Sequence, residues 1–187
     1  MQRGSHFISE IDRLAGEAEL VFRSIVLPGW LGPNHGMPDT LYGYMMGVFS
    51  RIDLISAHWS GSYDDQSARM VSFMDGYIQP NRTANSLAVQ FWRHKLMHTS
   101  SPRALCDPNT GSKYLWLLHW ADDHLPREQH FTFQAGGTIL NLSLMGLIAN
   151  TRDAAARYIE ELNTSRTLES KYDVVAHELE SFAFRTV

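Results

Sequence analysis

The sequence has 187 residues, of which 44% are hydrophobic and 19% are charged, and its formal net charge is −4. These values predict a single domain with a substantial hydrophobic core, and they exclude an intrinsically disordered chain. The acidic balance argues against a broad basic surface that holds nucleic acid through its phosphates alone, although it leaves room for a small basic pocket.

The first residues of the chain lack the apolar core of a signal peptide, and no apolar run approaches the ~20 residues that span a bilayer. We therefore expect a cytoplasmic protein with no membrane segment. Cys106 is the only cysteine, so no disulfide can form within the chain. No neighbour in sequence marks this thiol as a nucleophile, and we interpret it as an inert loop thiol.

Four segments of the first half carry apolar residues at helical spacing. Ser5, Asp39 and Asn81 are suited to cap helix starts, while Gly61 and the prolines at 28, 80 and 102 are suited to end helices. The predicted helices cover residues 5–27, 39–59, 64 or 65 to 78, and 81 or 83 to 99, with a Gly- and Pro-rich loop at 28–39. Their short links are typical of antiparallel neighbours in a bundle.

The pattern changes after residue 112. Short aromatic runs at 114–120 and 130–134, a tight turn at 135–137 and a run at 138–143 predict a small antiparallel sheet that ends in a hairpin. Helical spacing returns at 144–162 and again at 168–182. The predicted fold is thus mainly α, a single domain with an antiparallel helical bundle (5–104), a small β element (113–143) and C-terminal helices (144–187).

One polar cluster near the end of the fourth predicted helix, RHKLMH at 93–98, is the main candidate for chemistry. Arg93 and His98 are five positions apart, roughly 140° around a straight helix, whereas His94 and His98 share one face. Arginine grips phosphate bidentately and histidine titrates near neutral pH, so Arg93 and His98 could cleave RNA without a metal. A second interpretation is that His94 and His98 bind a metal, although such a site needs a third protein ligand. A third is that Arg93, His94 and His98 only place positive charge at a helix C-terminus, where the helix dipole favours it.

The segment 93–98 resembles the signature of the HEPN superfamily, an arginine followed after four to six residues by a histidine, near the end of a late helix in a bundle. The residue after the arginine is often Asn, Asp or His, and here it is His94. The resemblance covers residues 5–104. It implies that Arg93 contacts the scissile phosphate, that His98 is the general acid/base and that His94 orients or assists.

The same resemblance implies a metal-independent endoribonuclease of toxin or defence type, in which a homodimer builds one composite cleft from two motifs. RNA and an antitoxin or other protein are then the expected partners. Some members of the family have no catalytic activity and bind nucleotides or proteins instead. A non-catalytic module that binds nucleotides or proteins is therefore the alternative. Residues 113–187 lie outside the minimal family bundle and suit a partner-binding or dimerising role.

Two other patterns compete with this motif. The run WLLHWADDHLPREQH brings together candidate metal ligands at spacings that fit no structural zinc site: His119, Asp122, Asp123, His124 and His130. Aromatic residues at 114–133 could stack nucleic-acid bases, but few cations are interleaved, and core packing is the favoured interpretation. The sequence contains no phosphate-binding glycine loop and no dinucleotide fingerprint, so we expect neither a cofactor nor a metal.

Overall fold

A computed structural model of the chain describes residues 3–26, 39–92, 104–107, 109–120, 130–134 and 136–183. These ranges contain six α-helices and four strands. The helices are α1 (Ser5–Val21), α2 (Asp39–Ser60), α3 (Gln66–Tyr77), α4 (Arg82–Gln90), α5 (Leu144–Leu162) and α6 (Arg166–Ala183). The strands are β1 (Leu105–Cys106), β2 (Lys113–His119), β3 (Phe133–Gln134) and β4 (Ile139–Ser143). A π-helical turn, Phe22–Val26, extends α1.

The mainly helical prediction is confirmed, because the helices bury the faces that their apolar spacing indicates. In α1 the buried residues are Phe7, Ile11, Leu14 and Ala18. In α2 they include Met45, Phe49, Ile52 and Ile55. The predicted loop at 28–39 lies almost wholly outside the described residues. None of the described helices is both long and apolar enough to cross a bilayer.

The C-terminal helices are integral to the bundle that the sequence predicts for 5–104. Tyr158 of α5 is fully buried, with its ring centroid 6.5 Å from those of both Phe7 and Phe73. Helix α6 packs on α2, where the ring of Tyr172 stacks on that of His58 at 4.5 Å. Three segments that are distant in the chain therefore share one core.

The sheet is mixed, so the prediction of a purely antiparallel sheet is wrong for its central pair. The strand order is β1-β2-β4-β3, and β2 runs parallel to β4 with Trp116 opposite Leu140. The predicted hairpin is confirmed, since β3 and β4 are antiparallel with Phe133 opposite Leu140. The chain between β2 and β4 contains β3, and this crossover returns β4 in the direction of β2. Alternation along a strand does not encode its direction.

Of the predicted helix caps, Asn81 and Gly61 are confirmed, whereas Ser5 and Asp39 are the first residues of α1 and α2. Asn81 caps α4, because its side chain accepts the backbone N–H of Ala84 at 3.1 Å, and Gly61 follows α2 with a φ of 82°. Ser5, however, is the first residue of α1, and the capping position belongs to Gly4 with a φ of 76°. Asp65 precedes α3 with a φ of 49° and makes no side-chain capping bond. Backbone conformation selects these two starts, rather than side-chain capping.

Candidate functional site

The three residues of the predicted catalytic motif, Arg93, His94 and His98, lie outside the described residues. The described chain reaches Trp92 and resumes at residue 104. The site is therefore characterised by the two elements that flank the motif in sequence, α4 before it and β1 after it. Both elements are held firmly in the fold.

Helix α4 precedes the motif in sequence, and both of its ends are held in the fold. Its cap is Asn81, and the two residues that follow the helix, Phe91 and Trp92, are buried. Phe91 stacks on Trp116 of β2 with ring centroids 4.8 Å apart, and Trp92 stacks on Phe49 of α2 at 5.7 Å. The chain is therefore packed into the core up to Trp92, the residue that precedes Arg93 in sequence.

Strand β1 follows the motif in sequence. It forms a hairpin with β2 in which Leu105 lies opposite Tyr114, and the turn between the strands depends on Asp107. The carboxylate of Asp107 accepts the backbone N–H of Asn109 at 2.8 Å and the hydroxyl of Thr110 at 2.9 Å. These hydrogen bonds lower the pKa of Asp107 below its ordinary value, first through Asn109 and then through Thr110.

Between α4 and the β1–β2 hairpin lies a surface groove of ≈ 530 Å³, which we call the α4 groove. The helix contributes polar side chains to one wall, and the hairpin contributes polar, apolar and aromatic groups to the other. The lining residues are Arg82, Thr83, Ser86, Leu87, Gln90, Leu105, Cys106, Asp107, Asn109 and Tyr114. The two elements that flank the motif thus form the walls of one cleft.

The charges in the α4 groove are few and largely balanced. The guanidinium of Arg82 pairs with Asp75 at 2.9 Å, and that carboxylate also accepts the side-chain amide of Asn85 at 2.7 Å. The other lining charge is the carboxylate of Asp107. Cys106 is exposed in β1 rather than in a loop. The described lining residues include no histidine, so they supply binding groups but no imidazole base.

Of the candidate metal ligands in 119–130, only His119 and His130 are among the described residues. Both lie near the junction of β4 and α5: His119 is the register partner of Ser143, and the backbone N–H of Ser143 donates to Nδ1 of His130 at 2.9 Å. Asp122, Asp123 and His124 lie outside the described ranges. Within the described ranges, no group of three or more His, Cys, Asp or Glu residues could hold a metal.

The aromatic residues of the β element are mainly core. Trp116, Trp120 and Phe131 are buried, and Trp120 stacks on Phe22 of the π-helical turn with centroids 4.0 Å apart. Their rings are therefore not available as stacking platforms for bases. Tyr114 differs, because it is half-buried and its side chain lines the α4 groove.

Two polar features of the core were not identified from the sequence. The first is the buried Arg69, whose Nη2 pairs with Asp53 and whose Nε donates to the hydroxyl of Ser56 at 3.1 Å. Its Nη1 donates to the backbone carbonyls of Ser62 and Asp64 at 3.2 and 2.9 Å. Every nitrogen of the guanidinium has a partner, so we assign the arginine to holding the turn between α2 and α3.

The second feature is His58, which is only 2% exposed. Its Nδ1 donates to the backbone carbonyl of Tyr172 at 3.3 Å, and Phe7 packs on the ring at 5.3 Å. Burial lowers the pKa of His58 to about 4, and the nearby His6 adds to this effect. The imidazole is thus neutral at pH 7. Its place three residues after Ile55, on the apolar face of α2, was the available signal.

No protein-family model, curated protein or solved structure matches this chain. The resemblance to the HEPN superfamily therefore continues to depend on the motif at 93–98 and on the mainly helical fold.

Proposed function

We propose that this protein is a HEPN-like, metal-independent endoribonuclease of toxin or defence type that acts in the cytoplasm. In this proposal His98 takes the proton of a ribose 2′-hydroxyl, and the 2′-oxygen attacks the adjacent phosphorus. The bond from phosphorus to the 5′-oxygen breaks, and that oxygen leaves with a proton returned by an imidazolium. Arg93 offsets the charge on the phosphoryl oxygens, and His94 orients the reacting groups. The products carry a 2′,3′-cyclic phosphate and a 5′-hydroxyl.

The distribution of charge along the chain is the observation that carries this proposal. Between Asp75 and Asp107 the sequence contains no acidic residue, whereas it contains four cations: Arg82, Arg93, Lys95 and Arg103. Three of them fall within 93–103, together with His94 and His98. A polyanion would therefore meet its strongest local attraction at the motif, even though the net charge of the protein is negative.

The remainder of the described surface reinforces this contrast. Most arginines in the described ranges are already paired with carboxylates. These are Arg3, Arg13, Arg23, Arg51, Arg69, Arg82 and Arg152. A paired guanidinium attracts phosphate less strongly, because its charge is balanced locally. The acid-free stretch at 93–103 is thus the favoured place for phosphate binding.

The walls of the α4 groove provide further support. Gln90 lies three residues before Arg93, and Leu105 lies two residues after Arg103, and both line this groove. Residues on both sides of the motif in sequence therefore contribute to one polar cleft. We further propose that the active species is a homodimer with two motifs in one cleft and that an antitoxin or other protein controls it.

The test is RNA cleavage by the purified protein in the presence of EDTA, with His98→Ala and Arg93→Ala as the altered proteins. General acid–base catalysis contributes about 10²- to 10⁴-fold, so we expect His98→Ala to lower the rate by that factor. His177→Ala is the matched control, because His177 is exposed on α6 and far from the motif in sequence. Analytical ultracentrifugation at several protein concentrations measures the molar mass and so tests whether the protein is a homodimer. A wild-type protein that leaves RNA intact contradicts the catalytic proposal.

The pairing of the described arginines also favours a second candidate, a non-catalytic module that binds nucleotides or proteins. An enzyme acting on long RNA ordinarily offers more free positive charge than this surface does. The same samples separate the two candidates. A module binds its ligand without breaking a phosphodiester, and its binding does not change when His98 is replaced.

A further inference from the structure

The α4 groove has the size and lining of a small-molecule site rather than of a site for a bare anion. Its volume of ≈ 530 Å³ lies within the range of about 300–1,000 Å³ that is usual for ligand pockets. Neutral hydrogen-bonding side chains and one aromatic ring form much of its lining: Thr83, Ser86, Gln90, Asn109 and Tyr114. Such groups suit an uncharged, planar, polar ligand.

Its electrostatics disfavour phosphate in the same place. Arg82 already has a carboxylate partner in Asp75, and Asp107 adds a negative charge to the opposite wall. Hydrogen bonds from Asn109 and Thr110 keep that carboxylate ionised by lowering its pKa. Phosphate is therefore disfavoured in this groove, and the part of a nucleotide that its lining suits is the uncharged base.

We propose that the α4 groove binds an unpaired base of the RNA on which the protein acts. This inference rests on the proposed function. Bases in a duplex present only their edges, whereas an unpaired base can enter a cleft and stack on an aromatic ring. Tyr114 supplies the ring, while Gln90 and Asn109 supply amides on opposite walls.

The amides are suited to hydrogen-bond the edge of a base. The side-chain amide of Gln90 donates to the hydroxyl of Ser86 at 3.1 Å, and this bond within α4 orients the group at the groove. An amide has two N–H groups and a carbonyl oxygen, so Gln90 retains one donor and its acceptor for a ligand. Asn109 is exposed in the turn, and its backbone N–H already serves Asp107. The side-chain amide of Asn109 is therefore available to hydrogen-bond a base.

The experiment compares two labelled oligonucleotides of six nucleotides, one a mixed-sequence RNA and the other identical except that hydrogen replaces every base. Both carry the same phosphates, so their affinities differ only through the bases. The protein is the full-length chain with His98→Ala, which keeps the RNA intact during the measurement. Gln90→Ala and Asn109→Ala are tested in that background. Gln134→Ala, at an exposed position in β3 outside the groove, is the matched control.

We expect the His98→Ala protein to prefer the base-bearing oligonucleotide by at least about fivefold, since stacking on one aromatic side chain contributes about 1–3 kcal/mol. Gln90→Ala and Asn109→Ala should each reduce this preference about threefold and leave the affinity for the base-free oligonucleotide unchanged. Gln134→Ala should retain the full preference. Circular dichroism confirms that each altered protein is folded.

The other outcomes separate the two proposals. Equal binding of the two oligonucleotides overturns the base site and leaves phosphate binding at the motif standing. A preference that survives both Gln90→Ala and Asn109→Ala also overturns it, because the base is then bound elsewhere. Absence of binding to either oligonucleotide refutes the proposed function, and the base site fails with it.

Discussion

Lowering the pH from 7 to 5 is expected to destabilise the fold through His58, which lies between α1, α2 and α6. In the folded state burial lowers the pKa of this imidazole from 6.5 to about 4. At a pH between 4 and 6.5, His58 is protonated in the unfolded chain and neutral in the folded chain. The stabilisation from neutral His58 is therefore complete above pH 6.5 and is lost as the pH falls towards 4.

The magnitude follows from the two pKa values. Each tenfold difference in proton affinity corresponds to about 1.4 kcal/mol, so the full loss approaches about 3 kcal/mol, and about 2 kcal/mol is lost between pH 7 and pH 5. The imidazole contacts Phe7 and Tyr172, and His6 is the other titrating group that acts on it. A charge on His58 would therefore weaken the docking of α6.

The assay is urea unfolding at pH 7 and pH 5 of the wild type and of His58→Phe, which keeps a ring against Tyr172 but cannot titrate. We expect the free energy of unfolding of the wild type to fall by about 2 kcal/mol more than that of His58→Phe. Other titrating groups contribute equally to both proteins and cancel. His177→Phe, at an exposed position of α6, is the control and should show the wild-type loss. An equal loss in wild type and His58→Phe would refute the reasoning.

Three further predictions concern the free energy of unfolding at pH 7, measured by urea titration. Arg69→Ala leaves the Asp53 carboxylate without its cation and should lower the stability by about 3 kcal/mol. Arg82→Ala removes the arginine of an exposed pair and should lower it by less than about 1 kcal/mol. Equal losses would show that burial of the Arg69 pair is unimportant. Tyr158→Phe should raise the stability by up to about 1 kcal/mol, because the buried hydroxyl has no hydrogen-bond partner in the part of the chain that the structure describes. A loss above about 1 kcal/mol would reveal a partner for that hydroxyl. Asn81→Ala removes the cap of α4 and should cost about 1 kcal/mol, and an unchanged midpoint would show that the 3.1 Å bond to Ala84 contributes little.

The helices could be predicted from sequence because each has one apolar face of regular spacing. Phe7, Ile11 and Leu14 mark such a face in α1, and the structure buries all three. The direction of β4 could not be predicted, since its short apolar run fits either orientation and only the crossover from β2 decides. The start of α1 was predicted at a capping Ser5, whereas the positive φ of Gly4 determines it.

The candidate site was predictable only as a motif. The spacing of Arg93 and His98 is visible in sequence, but the α4 groove depends on how α4 and the β1–β2 hairpin come together in the fold. Strand β1 has two residues and therefore carries no periodic signal. The pairing of Asp53 with Arg69 was likewise invisible, because the two residues lie on different helices whose facing positions are fixed only by packing.

The central claim is that a ribose 2′-hydroxyl, activated by His98, attacks the phosphate without help from a metal. The most direct measurement compares cleavage of one RNA oligonucleotide with that of its all-2′-deoxy counterpart in EDTA, and identifies the new ends by mass spectrometry. We predict cleavage of the RNA alone, with a 2′,3′-cyclic phosphate on one product and a 5′-hydroxyl on the other. Cleavage of both oligonucleotides, or of neither, would contradict the claim.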